Sequence, residues 1–395
     1  MPGAAAIAAQ QGIGLPARLY SLRIEGLDVI AQPALSYGVA PESIIVVEAA
    51  AGDVSSMSFV IDDSTSQISV SPGQYVRFDD LGFDMPLFVG WVETYGVNDW
   101  GEGRQITVQC VGLETLLDWL YVPAFTIPAG TASTDVWQRL LAAAYGVGFP
   151  LNGSWNAFST VAQPIGDSAA VTCPSPVAIP AGSLRQAGEA WLAAMAGFGN
   201  GYASLVRVSI DFWGGYRVWN HAVGTASPAD YATIAVSTAA DPRPSMTSYQ
   251  VGNAQARQAA ITQGANITLA NDGSGIPGPF LAASNQNATT NDGRVVLGRA
   301  LLAAQGPSYT GNTTIVQSRA RLATTGVGSS AAQRRPGSVM TLTELNVGAN
   351  LATIAQRITK TFVDSGEETW VIDFGGALRQ YGTALIRKMT PGVFV

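Results

Sequence analysis

The feature that most constrains the fold is a series of short alternating segments between residues 18 and 112. Segments such as SIIVVEAA, SMSFVIDD and RQITVQCVG carry apolar residues at every second position, and Gly, Pro and Asp separate them. In SMSFVID, the side chains of Met57, Phe59 and Ile61 fall on one face of an extended strand. Many short strands bounded by turn residues indicate a sandwich or a barrel.

The stretch SPGQYVRFDDLGFDMPLFVGWVETY, residues 71–95, has the same character. Pro72-Gly73 predicts a turn between strands. DDLGFD could hold calcium, but its spacing does not match an EF-hand loop, so a type I turn is the preferred interpretation. GLETLLDWLYVP then changes to a helical period and ends this first β region.

Residues 125 to 235 have a different pattern. STDVWQRLLAAAYG predicts a helix that ends at Gly146, and Ser183 with Gln186 forms a capping box at the start of a second helix. SLVRVSIDFWGGYRVW predicts a hairpin. The apolar stripes of the two helices are Val136, Leu140 and Ala144, then Ala187, Trp191 and Met195.

The rest of the chain is less regular. Residues 250–340 are rich in Gly, Ser and Asn and predict loops among short strands. Beyond them, the spacing of Leu351, Ile354, Ile358 and Phe362 predicts a helix face, and TWVIDF predicts a strand. SFVIDD followed by SPGQYV is echoed by TWVIDF followed by TPGVFV, through chance or through a duplicated β domain.

The low charge content and the acidic balance of the chain limit the classes of function that it can have. Only 12% of residues are charged, 28 acidic against 21 basic, with a pI of about 4.8. This balance argues against a dedicated nucleic-acid binder, which carries a basic footprint. Few charges suit a subunit that neighbours cover. The longest uncharged run, 140–166, is broken by Pro and Gly, and the N-terminus lacks a basic region, so we expect neither a membrane span nor a signal peptide.

Catalytic signals are weak. His221 is the single histidine and no GxSxG accompanies it, which argues against a triad or a multi-histidine metal site. No nucleotide-binding motif occurs. Three acidic pairs could serve a glycosidase, but their places at strand ends and turns favour solvated residues. The pairs are Asp62-Asp63, Asp79-Asp80 and Glu367-Glu368.

Other conspicuous residues have structural interpretations. Cys110 lies in an apolar run and reads as a buried, inert thiol; with Cys173 it forms no metal pattern. Trp155 is a weak candidate for an exposed aromatic residue, whereas core packing is expected of Trp91, Trp119 and Trp191. A cluster of four arginines is most simply interpreted as part of a solvated loop. The alternatives are that the cluster pairs with an acidic neighbouring chain or contacts a phosphate. Its members are Arg319, Arg321, Arg334 and Arg335.

Four motifs occur in an order that resembles the tail-tip (baseplate) hub proteins of tailed bacteriophages: MSFVIDD, SPGQYVRF, PLFVGWVETY and ITVQCVGLETLLDWL, over about 65 residues. SLRQAGEAWLAAMAGFG and VRVSIDFWGGYRVW resemble the middle of such proteins. The resemblance covers most of the chain and is weakest over 250–340. The chain departs from the family pattern at its end, because no counterpart of LFVGWVETY follows PGVFV. Either the second barrel is minimal or a neighbouring chain supplies the missing strands.

The resemblance implies an α+β, predominantly β chain with two hub-type β-barrel domains around a helix-plus-sheet middle domain. We expect an arm at 1–17, a first barrel at 18–124, the middle domain at 125–249, a loop-rich β region at 250–340, and a shortened second barrel with one helix at 341–395.

It also implies a structural virion protein without enzymatic activity or cofactor. Three chains would form a pseudo-sixfold ring at the tail tip, assembled in the host cytoplasm, that joins the sixfold tail tube to a threefold spike or fibre and lines the DNA ejection channel. The partners would be the tail tube or distal tail protein, the tape-measure protein and spike or fibre proteins, with no stable membrane insertion. The alternatives are a distal tail ring protein, a tail-associated cell-wall hydrolase and a glycan-binding module.

Overall fold

The structure of the protein is a computed structural model. It describes residues 19–30, 37–49, 54–64, 66–81, 85–99, 103–146, 172–197, 205–210, 216–220, 234–237, 247–251, 257–271, 273, 275, 279–285, 288–303, 309–317, 335–336, 338–343, 351–363 and 367–375. The 1–17 arm, the Gly214-Gly215 turn, residues 82–84 of the DDLGFD turn and the TPGVFV end lie outside these ranges.

Strands dominate the described residues, which confirms a predominantly β, α+β fold. The strands of the first half are β1 (Tyr20–Ile24), β2 (Leu27–Asp28), β3 (Tyr37–Val39), β4 (Ile45–Ala49), β5 (Ser56–Asp63), β6 (Tyr75–Asp80), β7 (Met85–Asp99), β8 (Arg104–Gly112), β9 (Tyr121–Val122), β10 (Phe125–Ile127), β11 (Val177–Ile179) and β12 (Gly182–Ser183).

The strands of the second half are β13 (Leu205–Ile210), β14 (Tyr216–Asn220), β15 (Ile234–Ser237), β16 (Thr247–Val251), β17 (Gln258–Gln263), β18 (Asn266–Asn271), β19 (Phe280–Ser284), β20 (Tyr309–Gln317), β21 (Val339–Thr343), β22 (Leu351–Phe362) and β23 (Glu368–Gly375). The helices are α1 (Leu116–Trp119), α2 (Ser133–Gly146), α3 (Leu184–Gly197) and α4 (Asn291–Ala303). None of the helices in the described ranges has the length and apolar content needed to cross a membrane.

One sheet connects the two ends of the chain. Its order is β16-β20-β23-β22-β4-β5-β8-β7-β6-β1-β2, with β3, β15 and β21 attached at its sides. β22 from the second half pairs directly with β4 from the first half. The described pairings therefore form one continuous sheet across both halves.

The first β region has the alternation that the sequence predicts. Met57, Phe59 and Ile61 are all buried along β5. Gly73 adopts a positive φ of 84° in the turn before β6, and Gly73 N donates to Val92 O at 2.8 Å. The Pro72-Gly73 turn is thereby confirmed, and β6 and β7 form an antiparallel pair.

The helical middle forms a second core. The capping box is confirmed, because Gln186 N donates to Ser183 Oγ at 3.2 Å while Ser183 N donates to Gln186 Oε1 at 3.0 Å. The buried face of α3 contains Ala187, Trp191 and Met195, and it packs with α2 above Trp91 of β7. The predicted hairpin of β13 and β14 is also present.

The predicted helix over 351–362 is wrong, because β22 occupies these residues. A spacing of four places residues on one face of a helix, but it also fits the period of two in a strand. Along β22, Ile358, Lys360 and Phe362 are buried at alternate positions. The β-branched residues of ATIAQRITKTF favour the extended form.

A smaller unit lies within the loop-rich region. β17 pairs antiparallel with β18 and parallel with β19, and α4 packs against β17 and β18. Gly298 of α4 approaches β18 so closely that an added Cβ would lie 2.5 Å from Cβ of Ala270. Arg294 of α4 is buried and donates from Nε to Thr268 Oγ1 at 2.7 Å.

Candidate assembly surfaces

The main sheet contains a repeat of four strands. Its first eight positions are β16-β20-β23-β22 followed by β4-β5-β8-β7, and every neighbouring pair is antiparallel. Strands four positions apart therefore run in the same direction. The second group follows the first head to tail, with β22 and β4 at the junction.

A β-bulge supports the equivalence of the two groups. The β7–β8 register shifts between Val92 and Thr94, and the β22–β23 register shifts between Ala355 and Arg357. In each hairpin six residue pairs follow the shift before the strands end. Bulges bend a strand at a defined place, so their shared position is a structural match. β7 corresponds to β22, and β8 to β23.

This repeat differs from the echo seen in the sequence. TWVIDF forms most of β23, whose counterpart is β8, whereas SFVIDD lies in β5, whose counterpart is β20. The interpretation of SFVIDD and TWVIDF as matching strands is wrong, because strand order and bulge position pair them with other segments. The two groups match in topology while their sequences have little in common.

The junction between the groups encloses charges. Lys360 Nζ contacts Glu48 Oε1, and both side chains are buried. Arg335 Nε lies 3.6 Å from Glu48 Oε2. Lys360 Nζ also lies 4.8 Å from the ring centroid of Trp370, whose Nε1 donates to Glu368 Oε2 at 2.7 Å. An ion pair in a buried place stabilises strongly only while both partners are present.

The Glu114 carboxyl lies near this cluster, just after β8. Its Oε1 accepts a hydrogen bond from Ser55 Oγ at 2.8 Å. Burial raises the pKa of Glu114, and the negative charge of Glu48 adds to the rise, whereas a backbone hydrogen bond, the Ser55 hydroxyl and the Arg335 charge partly oppose it. The raised pKa results from enclosure at the meeting point of the two halves.

Gly90 explains the Phe-x-Gly-x-Val pattern of β7. A Cβ at Gly90 would lie 2.0 Å from Val111 O of β8 and 2.9 Å from Cζ of Phe88. β7 pairs with β6 through its first part and with β8 from Gly90 onward, so the chain crosses from one neighbour to the other at this glycine. A residue without a side chain is required at this crossing.

Beyond the bulge, β7 has one open edge. Residues 94–98 pair with β8, and among the described residues no strand lies along their other side. Tyr95 and Val97 are 45% and 46% exposed, although they lie opposite the buried residues Val108 and Ile106 on the same face of the sheet. The apolar face of the sheet thus continues to an edge where its covering ends.

Two further apolar surfaces are exposed. Trp119 and Tyr121 are 47% and 52% exposed beside the helical core, so the expectation of a buried Trp119 is wrong, whereas Trp91 and Trp191 are buried as expected. Trp119 ends α1 at the margin of this core and contacts Trp91 with its ring centroid at 5.6 Å. The other surface is the face of the three-stranded sheet opposite α4, with exposed Ile267, Leu269 and Phe280.

The acidic pairs are structural, and the expectation that they are solvated is wrong for four of the six residues. Asp63, Asp79, Asp80 and Glu368 are buried. Asp63 accepts hydrogen bonds from the backbone N–H groups of Gln67 and Ile68 at 2.9 and 3.0 Å. It also forms an ion pair with Arg104, whose Nη2 lies 2.5 Å from Asp63 Oδ2. Within the described part of the chain, no group of three His, Cys, Asp or Glu residues could hold a metal ion.

Asp63 is an acidic residue with a lowered pKa. Burial acts to raise this pKa, but the backbone donors of Ile68 and Gln67 and the charge of Arg104 together outweigh burial. The carboxylate is therefore held ionised, as an acceptor that fixes the chain after β5.

The remaining candidates have ordinary environments where they are described. Cys110 is a free thiol and is buried, as expected; burial and the charge of Glu93 raise its pKa, which disfavours the thiolate form. Cys173 is also free and buried. Arg335 points to the buried Glu48 of its own chain, so it is not part of a solvated basic loop. His221, Trp155 and the other three arginines of that cluster lie outside the described residues.

Comparison with known proteins identifies the fold. No protein-family model matches the chain, and no curated protein matches it. Phage tail proteins are among the solved structures that resemble it. A tail protein from Neisseria meningitidis aligns with a TM-score of 0.61 at 12% identity, covering 93% of this chain and 98% of that one.

Two prophage proteins align in the same way. The 43 kDa tail protein of prophage MuSo2 from Shewanella oneidensis has a TM-score of 0.60 at 11% identity, covering 92% of this chain and 99% of that one. Prophage tail protein gp18 from Listeria monocytogenes has a TM-score of 0.53 at 8% identity, covering 90% and 94%. The chain therefore has the fold of phage tail proteins over nearly its full length, and the resemblance stated from the sequence is confirmed at this level.

Proposed function

We propose that the chain is a structural tail-tip hub subunit of a phage virion. Three copies form a pseudo-sixfold ring that joins the tail tube to a threefold spike or fibre and surrounds the channel for ejected DNA. The observation that carries the proposal is the head-to-tail repeat of two four-strand groups in one chain. A threefold assembly of such a chain presents six similar groups, which matches a sixfold partner on one side and a threefold partner on the other.

Charge distribution supports a structural role. The chain is acidic overall, with a formal net charge of −7, which suits a passage that DNA crosses without adhering. The conspicuous carboxylates hold the chain together through Arg104, Lys360 and backbone N–H groups. The tail tube or distal tail protein, the tape-measure protein and spike or fibre proteins are the proposed neighbours in the virion.

The distal tail ring protein is the rival within the same class. A hub is favoured because α2, α3 and the β13–β14 hairpin lie in sequence between the two four-strand groups. We propose that the β4-β5-β8-β7 group belongs to the domain at 18–124. The β16-β20-β23-β22 group begins with β16 at Thr247, so that the loop-rich 250–340 region and the 341–395 segment both contribute to it.

Mass photometry of the purified protein tests this function. We expect a particle of three times 41.0 kDa that forms as concentration rises. A chain that stays monomeric throughout would count against the ring. A zymogram on peptidoglycan separates the hydrolase alternative, because clearing that disappears with Asp62→Asn or Glu367→Gln would replace the structural role with an enzymatic one. Retention on a host-surface glycan array would favour the glycan-binding alternative.

A further inference from the structure

The intrachain junction shows which two strand edges of this fold fit together. At this junction β22 pairs antiparallel with β4, from Arg357 opposite Ala49 to Thr361 opposite Ile45. β7 is the counterpart of β22, and its matching segment is 94–98, whose outer edge has no strand beside it in the described part of the chain. β16 is the counterpart of β4, and it is the last strand on the other side of the sheet among the residues that the structure describes. Each chain thus presents one copy of each half of its own junction.

We propose that β7 of one copy pairs antiparallel with β16 of the next copy, head to tail, and so extends the sheet from chain to chain. This inference rests on the ring assembly proposed above and names the surface that closes it. Its partner is a second copy of this chain. A heterologous contact of this kind forms a closed ring when the rotation between copies closes.

The repeat also specifies the register. Arg357 of β22 and Thr94 of β7 are equivalent, because each is the first paired residue after the bulge. The residues paired across the strands from Arg357 to β16 are Asp373, Asn312 and Ser248. The residues paired across the strands from Thr94 to β4 are Gln109, Ser58 and Ile45, so Ser248 corresponds to Ile45. Transferring the β22–β4 pairs places Val97 of one copy opposite Tyr249 of the next copy. The neighbouring pair is Asn98 opposite Ser248.

The composition and the exposure of residues 94–98 fit an edge that another strand covers in the assembly. An open edge presents unpaired N–H and C=O groups, and proteins usually protect such edges with charge, Pro or a covering segment. The segment from Thr94 to Asn98 contains no Lys, Arg, Asp, Glu or Pro and includes the half-exposed Tyr95 and Val97. At the corresponding places of β22, Ile358 and Lys360 are buried against β4. An added strand would complete the same arrangement at β7.

Disulfide crosslinking tests the register. We would compare two in-register double variants, Val97→Cys with Tyr249→Cys and Asn98→Cys with Ser248→Cys, under mild oxidation and non-reducing electrophoresis. Adjacent antiparallel pairs have Cα separations of about 4.5 and 5.5 Å, which disulfides span. The two edges of one chain are separated by seven strand spacings of about 4.8 Å each, so a bond within one chain cannot form. We expect crosslinked multimers of increasing size, of which the largest is the closed ring.

Matched controls separate this contact from other contacts. Tyr95→Cys with Thr247→Cys lies four residues out of register, about 13 Å along the strand, and should give no crosslink. The wild-type chain has buried thiols and should also give none. Val97→Cys alone should stay uncrosslinked. A dimer from Val97→Cys alone would mean that two β7 edges pair with each other, and this result would overturn the proposal.

The outcomes distinguish the interface from the function. If mass photometry gives a trimer but neither in-register variant crosslinks, the β7–β16 contact is wrong and the ring stands. If both variants stay monomeric in both measurements, the ring and its interface are both wrong. Crosslinking of the in-register pairs but not of the shifted pair supports both.

Discussion

Gly90→Ala tests whether the strand crossing in β7 depends on a missing side chain. The added Cβ would lie 2.0 Å from Val111 O and 2.8 Å from Val111 C, both backbone atoms of β8. Non-bonded carbon atoms pack at about 3.5–4.0 Å, so the strands would have to separate by about 1 Å or more. Interiors tolerate such overpacking poorly, and we expect the free energy of unfolding to fall by about 3 kcal/mol.

Gly96→Ala is the matched control on the same strand. A Cβ at Gly96 meets no atom within 4 Å, so this substitution should be neutral or stabilise the protein by up to about 1 kcal/mol. Urea unfolding followed by tryptophan fluorescence gives both midpoints, because Trp91 lies beside Gly90 in the core. Equal midpoints for the two variants would refute the steric explanation of the Phe-x-Gly-x-Val pattern.

Three further predictions concern the buried charged residues. Lys360→Met should cost about 3–5 kcal/mol by leaving Glu48 poorly paired, whereas adding Glu48→Gln should recover part of the loss; additive effects in the double-mutant cycle would contradict the coupling. Glu114→Gln should stabilise the protein at pH 8 but not at pH 4, because a carboxyl with a raised pKa contributes stability below its unfolded pKa and loses it as pH rises through its folded pKa; a gain that is independent of pH would argue against this assignment. Asp63→Asn should destabilise the protein by about 3 kcal/mol at neutral pH, and by progressively less as the pH falls below about 3.9, because a carboxylate with a lowered pKa contributes stability only above that range. The control Asp62→Asn, at the exposed neighbouring residue, should change the stability little. Equal effects of the two variants would contradict the role of Asp63.

Local patterns in the sequence correctly predicted those strands, helices and turns whose signals lie within a few residues of one another. Alternation gave β5, the capping box gave the start of α3, and Pro72-Gly73 gave the turn before β6. Each of these signals comes from residues a few positions apart. A spacing of four in β22 failed because strands and helices share it, and pairing with β4 and β23 decides the outcome.

The site depends on contacts that no local pattern contains. Glu48 and Lys360 are separated by 312 positions and meet because β4 and β22 pair. The burial of Asp63, Asp79 and Asp80 likewise follows from neighbouring strands, whereas their sequence context resembles that of surface turns. The isolated Lys360, in a chain with only one other lysine, was an available signal of a special environment.

An electron cryo-microscopy reconstruction of the assembled protein is the decisive test of the proposed ring. We expect a threefold ring around an open channel, with two four-strand groups from each copy and with β7 of one copy hydrogen-bonded to β16 of the next. An assembly with twofold symmetry, or a ring in which these two edges face solvent, would overturn the proposal.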